Sequence, residues 1–386
     1  MWSGWSTCDE KSLLVAIYKN KCIKALTSMP ELPEVEGGRL TVEQHCLGQR
    51  IVAVNLLEQG GGPRDGLFDE LVCSGNTEAE FREALLDGTI VSAKRRGKQL
   101  YFEVKIKGQS KSQLHLLFHF GMSGSFAVEG VAVPTYVNVK IDTKYPPKFC
   151  KFELQFANGK KLAFSDPRRL GRVKLLKGDP LTQAPLSKLA RDPVLEGVGA
   201  DFPAQLKKYT TPIKALLLDQ EAVLCGIGNY LADEVLYQSA IHPKTSSSSI
   251  PQHKAVELGA VIEKVLSVAC EYTHKNMDFP KDWLFHYRWE KAKGTSKMPN
   301  GNTISYDTVG GRTTAIVEAV QKKTFRSADA QEEGGAAAVA PSAKKRKDKA
   351  AARVEAEAVA EAEAKAKAKE DGERTKPLKK KRKKET

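Results

Sequence analysis

No run of about 18 apolar residues occurs in this 386-residue chain, so a membrane-spanning helix is not expected. The seven cysteines (Cys8, Cys22, Cys46, Cys73, Cys150, Cys225 and Cys270) are scattered, odd in number and never spaced C-x-x-C. That argues against a disulfide framework and for free thiols in a reducing compartment. No cysteine follows Cys270, so a structural zinc site with four thiolates is excluded there. Residues 1–28 hold four lysines, two acids, no arginine and one short apolar patch at 13–17, a poor secretory signal or transit peptide. Aromatic residues disappear after Phe325, where the chain turns Ala/Glu/Lys-rich. Such a composition cannot bury enough apolar surface to fold alone, and 350–369 is at most a transient helix. No repeat of solenoid length is apparent.

What the chain has in excess is positive charge. The net charge is +14, and residues 344–386 hold 17 Lys and Arg against 9 Asp and Glu. The remaining body is still basic. A basic body with a basic tail points to a polyanionic partner, and nucleic acid is preferred over membrane because no lipidation signal occurs. The clusters Lys344–Lys347 and Lys379–Lys384 read as nuclear-localisation or non-specific DNA-binding segments, so the nucleus is the expected location.

The length predicts two or more domains. Residues 31–46 read as a first helix. Strand-like pieces follow at 51–57, 100–106, 114–120, 149–156, 161–164 and 173–176, with clear alternation in Tyr101-Phe102-Glu103-Val104-Lys105-Ile106. This spacing predicts a β-sandwich. Loops are expected at 107–113 and 127–147. Beyond about residue 181 the pattern becomes helical, at 213–218, 229–239 and 254–272. In the last of these, Val256, Ala260, Val261, Val265, Ala269 and Tyr272 share a face. Residues 297–317 read as a hairpin region with turns at Asn300-Gly301 and Gly310-Gly311, packed through Trp289, Ile304, Tyr306 and Val317.

The octamer Met29-Pro30-Glu31-Leu32-Pro33-Glu34-Val35-Glu36 carries the most chemistry. Scission after Met29 turns Pro30 into a terminal secondary amine with a carboxylate beside it. An α-amino group has a reference pKa near ~7.7–8.0, so it is free at neutral pH far more often than a lysine near ~10.4. Attack on a carbonyl-level sugar carbon would give an iminium ion that stays charged without a proton. Glu31 is placed to protonate an oxygen and take a proton back. A second reading stands beside this one: both prolines and the acids also suit the first turn of a helix.

The octamer resembles the N-terminus of the formamidopyrimidine-DNA glycosylases, bifunctional enzymes that excise oxidised bases; the endonuclease VIII branch instead has Pro-Glu-Gly-Pro-Glu. The resemblance spans about residues 29–320 and rests on several separated motifs. In Lys94-Arg95-Arg96-Gly97-Lys98 it makes Lys98 the phosphate-binding lysine, a group we count with the catalytic set; Lys94 and Arg95 read as an ordinary solvated loop. In His119-Phe120-Gly121-Met122-Ser123-Gly124-Ser125 it makes Met122 the wedge that fills the gap left by a flipped base, though a lone methionine is usually core. In Asp166-Pro167-Arg168-Arg169-Leu170-Gly171 it sets Arg168 against the orphaned base and Leu170 where bacterial members carry an aromatic wedge. Gly226-Ile227-Gly228-Asn229-Tyr230-Leu231-Ala232-Asp233-Glu234 resembles the helix–two-turn–helix module, whose amides and dipole favour phosphate. It implies that Asn229 binds phosphate, that Lys214 in the preceding helix contacts DNA, and that Glu234 either lies near the base pocket, with Glu34, or simply orients the turn. Gly310-Gly311-Arg312-Thr313-Thr314 resembles the tip of the zincless finger of plant and fungal relatives, making Arg312 a phosphate clamp.

The expected architecture is α+β. It comprises an extension at 1–28 absent from the active form, a catalytic two-layer β-sandwich with flanking helices at 29–178, a helix–two-turn–helix domain at 179–285, a zincless β-hairpin finger at 286–325 and a disordered basic tail at 326–386. The expected activity is that of a monomeric DNA glycosylase and abasic-site lyase acting on oxidised purines in double-stranded DNA by β,δ-elimination, with no metal or organic cofactor. The alternative is a non-enzymatic DNA-damage-binding protein, which follows if residues 1–28 stay attached and Pro30 is an amide. A structural chromatin protein acting through the basic tail is a third, weaker reading.

Overall fold

The computed structural model describes residues 30–108, 114–131, 144–289 and 296–324. The expected extension at 1–28 and the basic tail at 326–386 lie outside the described residues, as do most of the two expected loops. Four antiparallel strands form the first sheet, in the order β1 (Ile51–Asn55), β6 (Cys150–Phe156), β7 (Lys161–Ser165) and β5 (Ser125–Val128). A second is ordered β2 (Thr89–Arg96), β3 (Gln99–Lys105), β4 (Leu114–His119) and β8 (Arg172–Lys177).

The two sheets share one apolar core. Phe102, Phe118, Phe126, Phe152 and Phe164 meet there, with Phe118 and Phe152 edge-on at 5.7 Å. Helix α1 (Leu32–Cys46) closes that core through Val35, Val42 and Cys46. Alternation on β3 explains why both faces are covered. Leu100, Phe102 and Val104 point inward, while Tyr101 packs outward with Leu117 and Leu186.

The helical part comprises α3 (Phe202–Leu206), α4 (Ile213–Leu218), α5 (Asn229–Gln238) and α6 (Gln252–His274) around a second core. A three-stranded finger follows: β9 (Ser296–Lys297), β10 (Thr303–Val309) and β11 (Arg312–Ile316). Gly310 and Gly311 turn β10 into β11 with φ of +61° and +71°, the left-handed pair that a two-residue hairpin demands. Its small core holds Leu284, Met298, Ile304, Ala315 and Val317, with Tyr306 alongside. Trp289, expected in that core, packs instead with the helical cluster, and the Arg288 guanidinium lies 4.4 Å from its ring centroid.

Three local expectations are corrected. Residues Lys94 to Arg96 end strand β2, paired with β3, rather than a solvated loop. Only Lys94 is exposed; Arg95 is buried and donates to Glu36 at 2.8 Å and to Asp192 at 2.5 Å. A short helix α2 (Glu78–Leu85) precedes β2, and β5 begins in the small-residue loop and reaches Val128. The buried stripe of α6 runs through Ala255, Leu258, Gly259, Ile262, Val265, Leu266 and Ala269, leaving Val256 56% exposed and Ala260 exposed.

Candidate functional site

The seam between the sandwich and the helical part is organised by the carboxyl group of Glu31. It accepts from the backbone N–H of Gly228 at 2.9 Å, Tyr230 at 2.9 Å and Leu231 at 3.2 Å. These are orphan amides at the N-terminus of α5, whose own N-cap Gly228 has no side chain to offer. A Cβ on Gly228 would lie 2.1 Å from the Glu31 carboxyl carbon, which is why glycine stands there. Leu32 N–H adds a bond to the Gly226 carbonyl at 3.2 Å. The Gly-x-Gly turn therefore does receive an acceptor group, but that group is the Glu31 carboxyl, and those three amides are already engaged. This corrects the expected phosphate cradle.

Burial pushes the Glu31 carboxyl above its ordinary range, against the opposing pull of Lys98 and the α5 amides. Glu34 sits behind it, accepting from Glu31 N–H at 2.8 Å and from the Tyr230 hydroxyl at 2.9 Å. Burial, then the neighbouring Glu31 charge, push Glu34 up to about 7. Pro30 leads into α1 half-buried, one residue from this pair.

Lys98 lies between β2 and β3 and reaches across the seam to donate to the Ile227 carbonyl at 3.1 Å. Burial lowers its pKa; Glu31 opposes that shift, and Arg312 adds to it. Arg312 stands exposed at the start of β11. Asn229 Nδ2 donates to the Thr313 carbonyl at 3.0 Å, tying the module to the finger beside Arg312. Pro30, Glu31, Glu34, Lys98, Asn229 and Arg312 are thus linked through one seam. Met122, Arg168 and Leu170 occupy a separate pair of loops, where Arg168 is exposed and the other two are half-buried.

Lys214 is not where the resemblance put it, and Glu234 is bonded to a turn. Lys214 is fully buried in an ion pair with Asp233 at 2.6 Å and donates to Thr314 Oγ1 at 2.8 Å. Its ammonium pins α4 to the finger and is not presented to a DNA surface. Glu234 does not join the Glu31–Glu34 pair. It accepts from Phe285 N–H at 2.9 Å and from Gln238 at 2.8 Å, facing the 3-10 turn Leu284–His286, and burial pushes it up to about 7.

Sequence reasoning gave no role to three further groups. His119 is held neutral, its pKa lowered to about 4 by burial and by the charges of Lys98 and Arg172. Its position directly before the small-residue loop was the available signal. Tyr230 and Asp233 lie within the same motif as Asn229: Tyr230 donates to Glu34 at 2.9 Å, and Asp233 also accepts from Arg288 at 2.6 Å and from Ala315 N–H at 3.0 Å. Adjacent acids, Asp233 and Glu234, between the apolar pieces Tyr230-Leu231-Ala232 and Val235-Leu236 are the cue. Among the described residues, no group of three or more His, Cys, Asp or Glu could hold a metal ion, and no helix is long and apolar enough to cross a membrane.

Comparison with known proteins matches this arrangement. The formamidopyrimidine-DNA glycosylase N-terminal domain model fits residues 29–173, and the H2TH domain model of the same glycosylases fits 189–280. A formamidopyrimidine-DNA glycosylase of Arabidopsis thaliana is 38% identical over 304 residues, covering 78% of this chain and 73% of that protein. The chain belongs to the formamidopyrimidine-DNA glycosylase family. A family member from Ligilactobacillus salivarius is 33% identical over 63% of this chain and 78% of its own length. Among solved structures, the Lactococcus lactis formamidopyrimidine-DNA glycosylase bound non-covalently to abasic-site DNA superposes with a TM-score of 0.57. It is 25% identical and covers 76% of this chain and 100% of that one. A mutant of that enzyme with Fapy-dG-containing DNA gives 0.59, again at 25% identity and the same coverage. The family's fold, a β-sandwich domain followed by the helix–two-turn–helix module, is the fold described above.

Proposed function

We propose that this glycosylase is bifunctional, releasing oxidised purines from double-stranded DNA and then cutting the abasic strand. The observation that supports it is the seating of Glu31: a carboxyl that burial favours in its protonated form, on amides and beside a lysine that stabilise it once ionised. Such a group still carries its proton when substrate binds, and the amides and the lysine offset part of the cost of ionising it when that proton is handed on. Pro30, freed by scission after Met29, attacks C1′ as the neutral amine, and Glu31 protonates the sugar ring oxygen. The base departs, leaving an iminium ion that acidifies the C2′ hydrogen. Loss of that proton expels the 3′ phosphate by β-elimination, and δ-elimination then removes the sugar. The route needs neither metal nor organic cofactor. Lys98, Asn229 and Arg312 grip the flanking phosphates, while Lys214 and Glu234 act as positioning residues. The enzyme works as a monomer, delivered to the nucleus by the basic clusters at 344–347 and 379–384.

Single-turnover assays on duplexes with formamidopyrimidine, 8-oxoguanine or a plain abasic site test the reading, which fails if no base is released. Formamidopyrimidine and abasic sites are expected to react faster than 8-oxoguanine. The segment after α6 is short, and its Phe279 and Trp283 fold back into the aromatic cluster of the helical core instead of covering a base. Faster release of 8-oxoguanine would overturn that ranking. Arg312→Ala is expected to lower the slope of log affinity against log salt by about one. An unchanged slope in a salt titration of duplex binding would remove Arg312 from the phosphate contacts.

A further inference from the structure

The loop at 166–171, which carries Arg168 and Leu170, is held in an uncommon conformation by groups outside the DNA-reading set. Arg169 has φ +57°, the left-handed region that a residue with a long side chain seldom adopts. Its guanidinium makes a bidentate bond to Asp69, Nε to Oδ2 at 2.8 Å and a terminal nitrogen to Oδ1 at 3.1 Å. Asp69 is fully buried, and behind it the buried Lys151 ammonium lies 3.2 Å away and is also paired with Glu58.

Asp69 belongs to the excursion between β1 and α2. That excursion runs beside the start of β8, where Val173 N–H donates to the Val72 carbonyl at 2.7 Å and Ser74 N–H to the Val173 carbonyl at 3.1 Å. On its other side, the loop is fused to the Met122 turn. Asp166 accepts from Gly171 N–H at 2.6 Å, Arg168 N–H at 3.1 Å and Ser123 Oγ at 2.5 Å. A Cβ on Gly121 would lie 2.4 Å from the Leu170 carbonyl carbon, so the two turns touch through backbone.

We propose that Asp69 is a positioning residue for opposite-base discrimination: by clamping Arg169 it fixes the left-handed turn that presents Arg168 and Leu170 outward. The inference rests on the proposed reading of this face as the one that meets damaged DNA. Two consequences of the geometry support it. Bidentate pairing neutralises Arg169 and turns it inward, so that the adjacent Arg168 alone is free to face a base. A buried carboxylate with cations on both sides is also a firm anchor, because loss of either cation leaves its buried charge less compensated.

The test is equilibrium binding of the full chain to duplexes bearing a tetrahydrofuran abasic analogue opposite each of the four bases. This needs no chemistry and no free Pro30. Asp69→Asn is expected to shrink the spread of affinities across the four by about tenfold, the size of effect one lost backbone restraint produces. Affinity for the same analogue in a single strand, which has no opposite base, should stay unchanged. Asp69→Asn/Arg169→Gly should recover most of the spread, because glycine adopts the left-handed turn without a clamp. A wild-type chain indifferent to the opposite base, or Asp69→Asn with the wild-type spread, overturns the proposal. So does loss of single-strand and duplex binding in equal proportion with no recovery by glycine, which would make Asp69 a folding residue only. A base-release assay run in parallel decides the glycosylase reading separately, since binding discrimination does not depend on it.

Discussion

A chain whose first residue is Pro30 is expected to be trapped covalently on abasic DNA by borohydride, whereas the same chain retaining Met29 and the residues before it is expected to give no adduct. The difference is one of bonding. A preceding residue makes the proline nitrogen a tertiary amide, whose lone pair is delocalised into the carbonyl and cannot add to C1′. Freed, the nitrogen is a secondary amine in the family of α-amino groups that titrate near ~7.7–8.0, with a usable neutral fraction at pH 7. The groups assigned to phosphate are Lys98, Asn229 and Arg312, none of which depends on the upstream residues for its contacts among the described residues. The blocked chain should therefore bind damaged duplex within a few fold of the free one while base release falls to background. Trapping assays with intact-mass measurement of both proteins check this. An adduct formed equally by the blocked chain would remove Pro30 as the nucleophile.

What was legible in the sequence was whatever local pattern dictates. The alternation of β3, the paired glycines of the finger turn and the Gly-x-Gly before α5 all appear where spacing placed them. Helix α2 carries a local signature as well: Thr77 and Glu80 form a reciprocal capping box with bonds of 3.2 and 2.7 Å, readable as T-x-x-E. Strand β2 was hidden for a different reason. Its three consecutive basic residues look solvated until Asp192, distant in sequence, buries Arg95 and also accepts from Gly97 N–H at 2.7 Å. Lys214 misleads in the same way, since its partner Asp233 lies on another helix. In α6, apolar residues on more than one side let two stripes compete, and packing into the helical core beside Phe202 chose the one through Leu258 and Ile262. Ionisable residues were thus located by sequence motif, but which of them stay exposed was decided by partners that no local window contains.

Glu31→Gln is expected to slow base release by about 10²–10⁴-fold, the usual worth of a positioned general acid. Opening of a preformed abasic site should suffer less, because no base has to leave. The amide keeps one acceptor oxygen for the α5 amides but turns its NH2 group toward the other donors, so a stability loss of about 1–3 kcal/mol is also expected. The pH dependence separates chemistry from packing. Base release needs a neutral Pro30, which favours higher pH, and a protonated Glu31, which favours lower pH. The wild-type profile is therefore bell-shaped, and in Glu31→Gln the fall on the alkaline side caused by Glu31 ionisation should vanish. Stability follows the same protons. Burial raises the Glu31 and Glu34 carboxyls above the ordinary 4.5, so the folded protein holds protons that the unfolded chain has released. The resulting stabilisation is complete below pH 4.5 and declines as pH rises, with the Glu34 contribution lost by about pH 7. Single-turnover base release and denaturation midpoints, both measured from pH 5 to 9, give the two curves. A Glu31→Gln enzyme that releases base within threefold of wild type, or keeps the same alkaline fall, would show that the proton comes from another group.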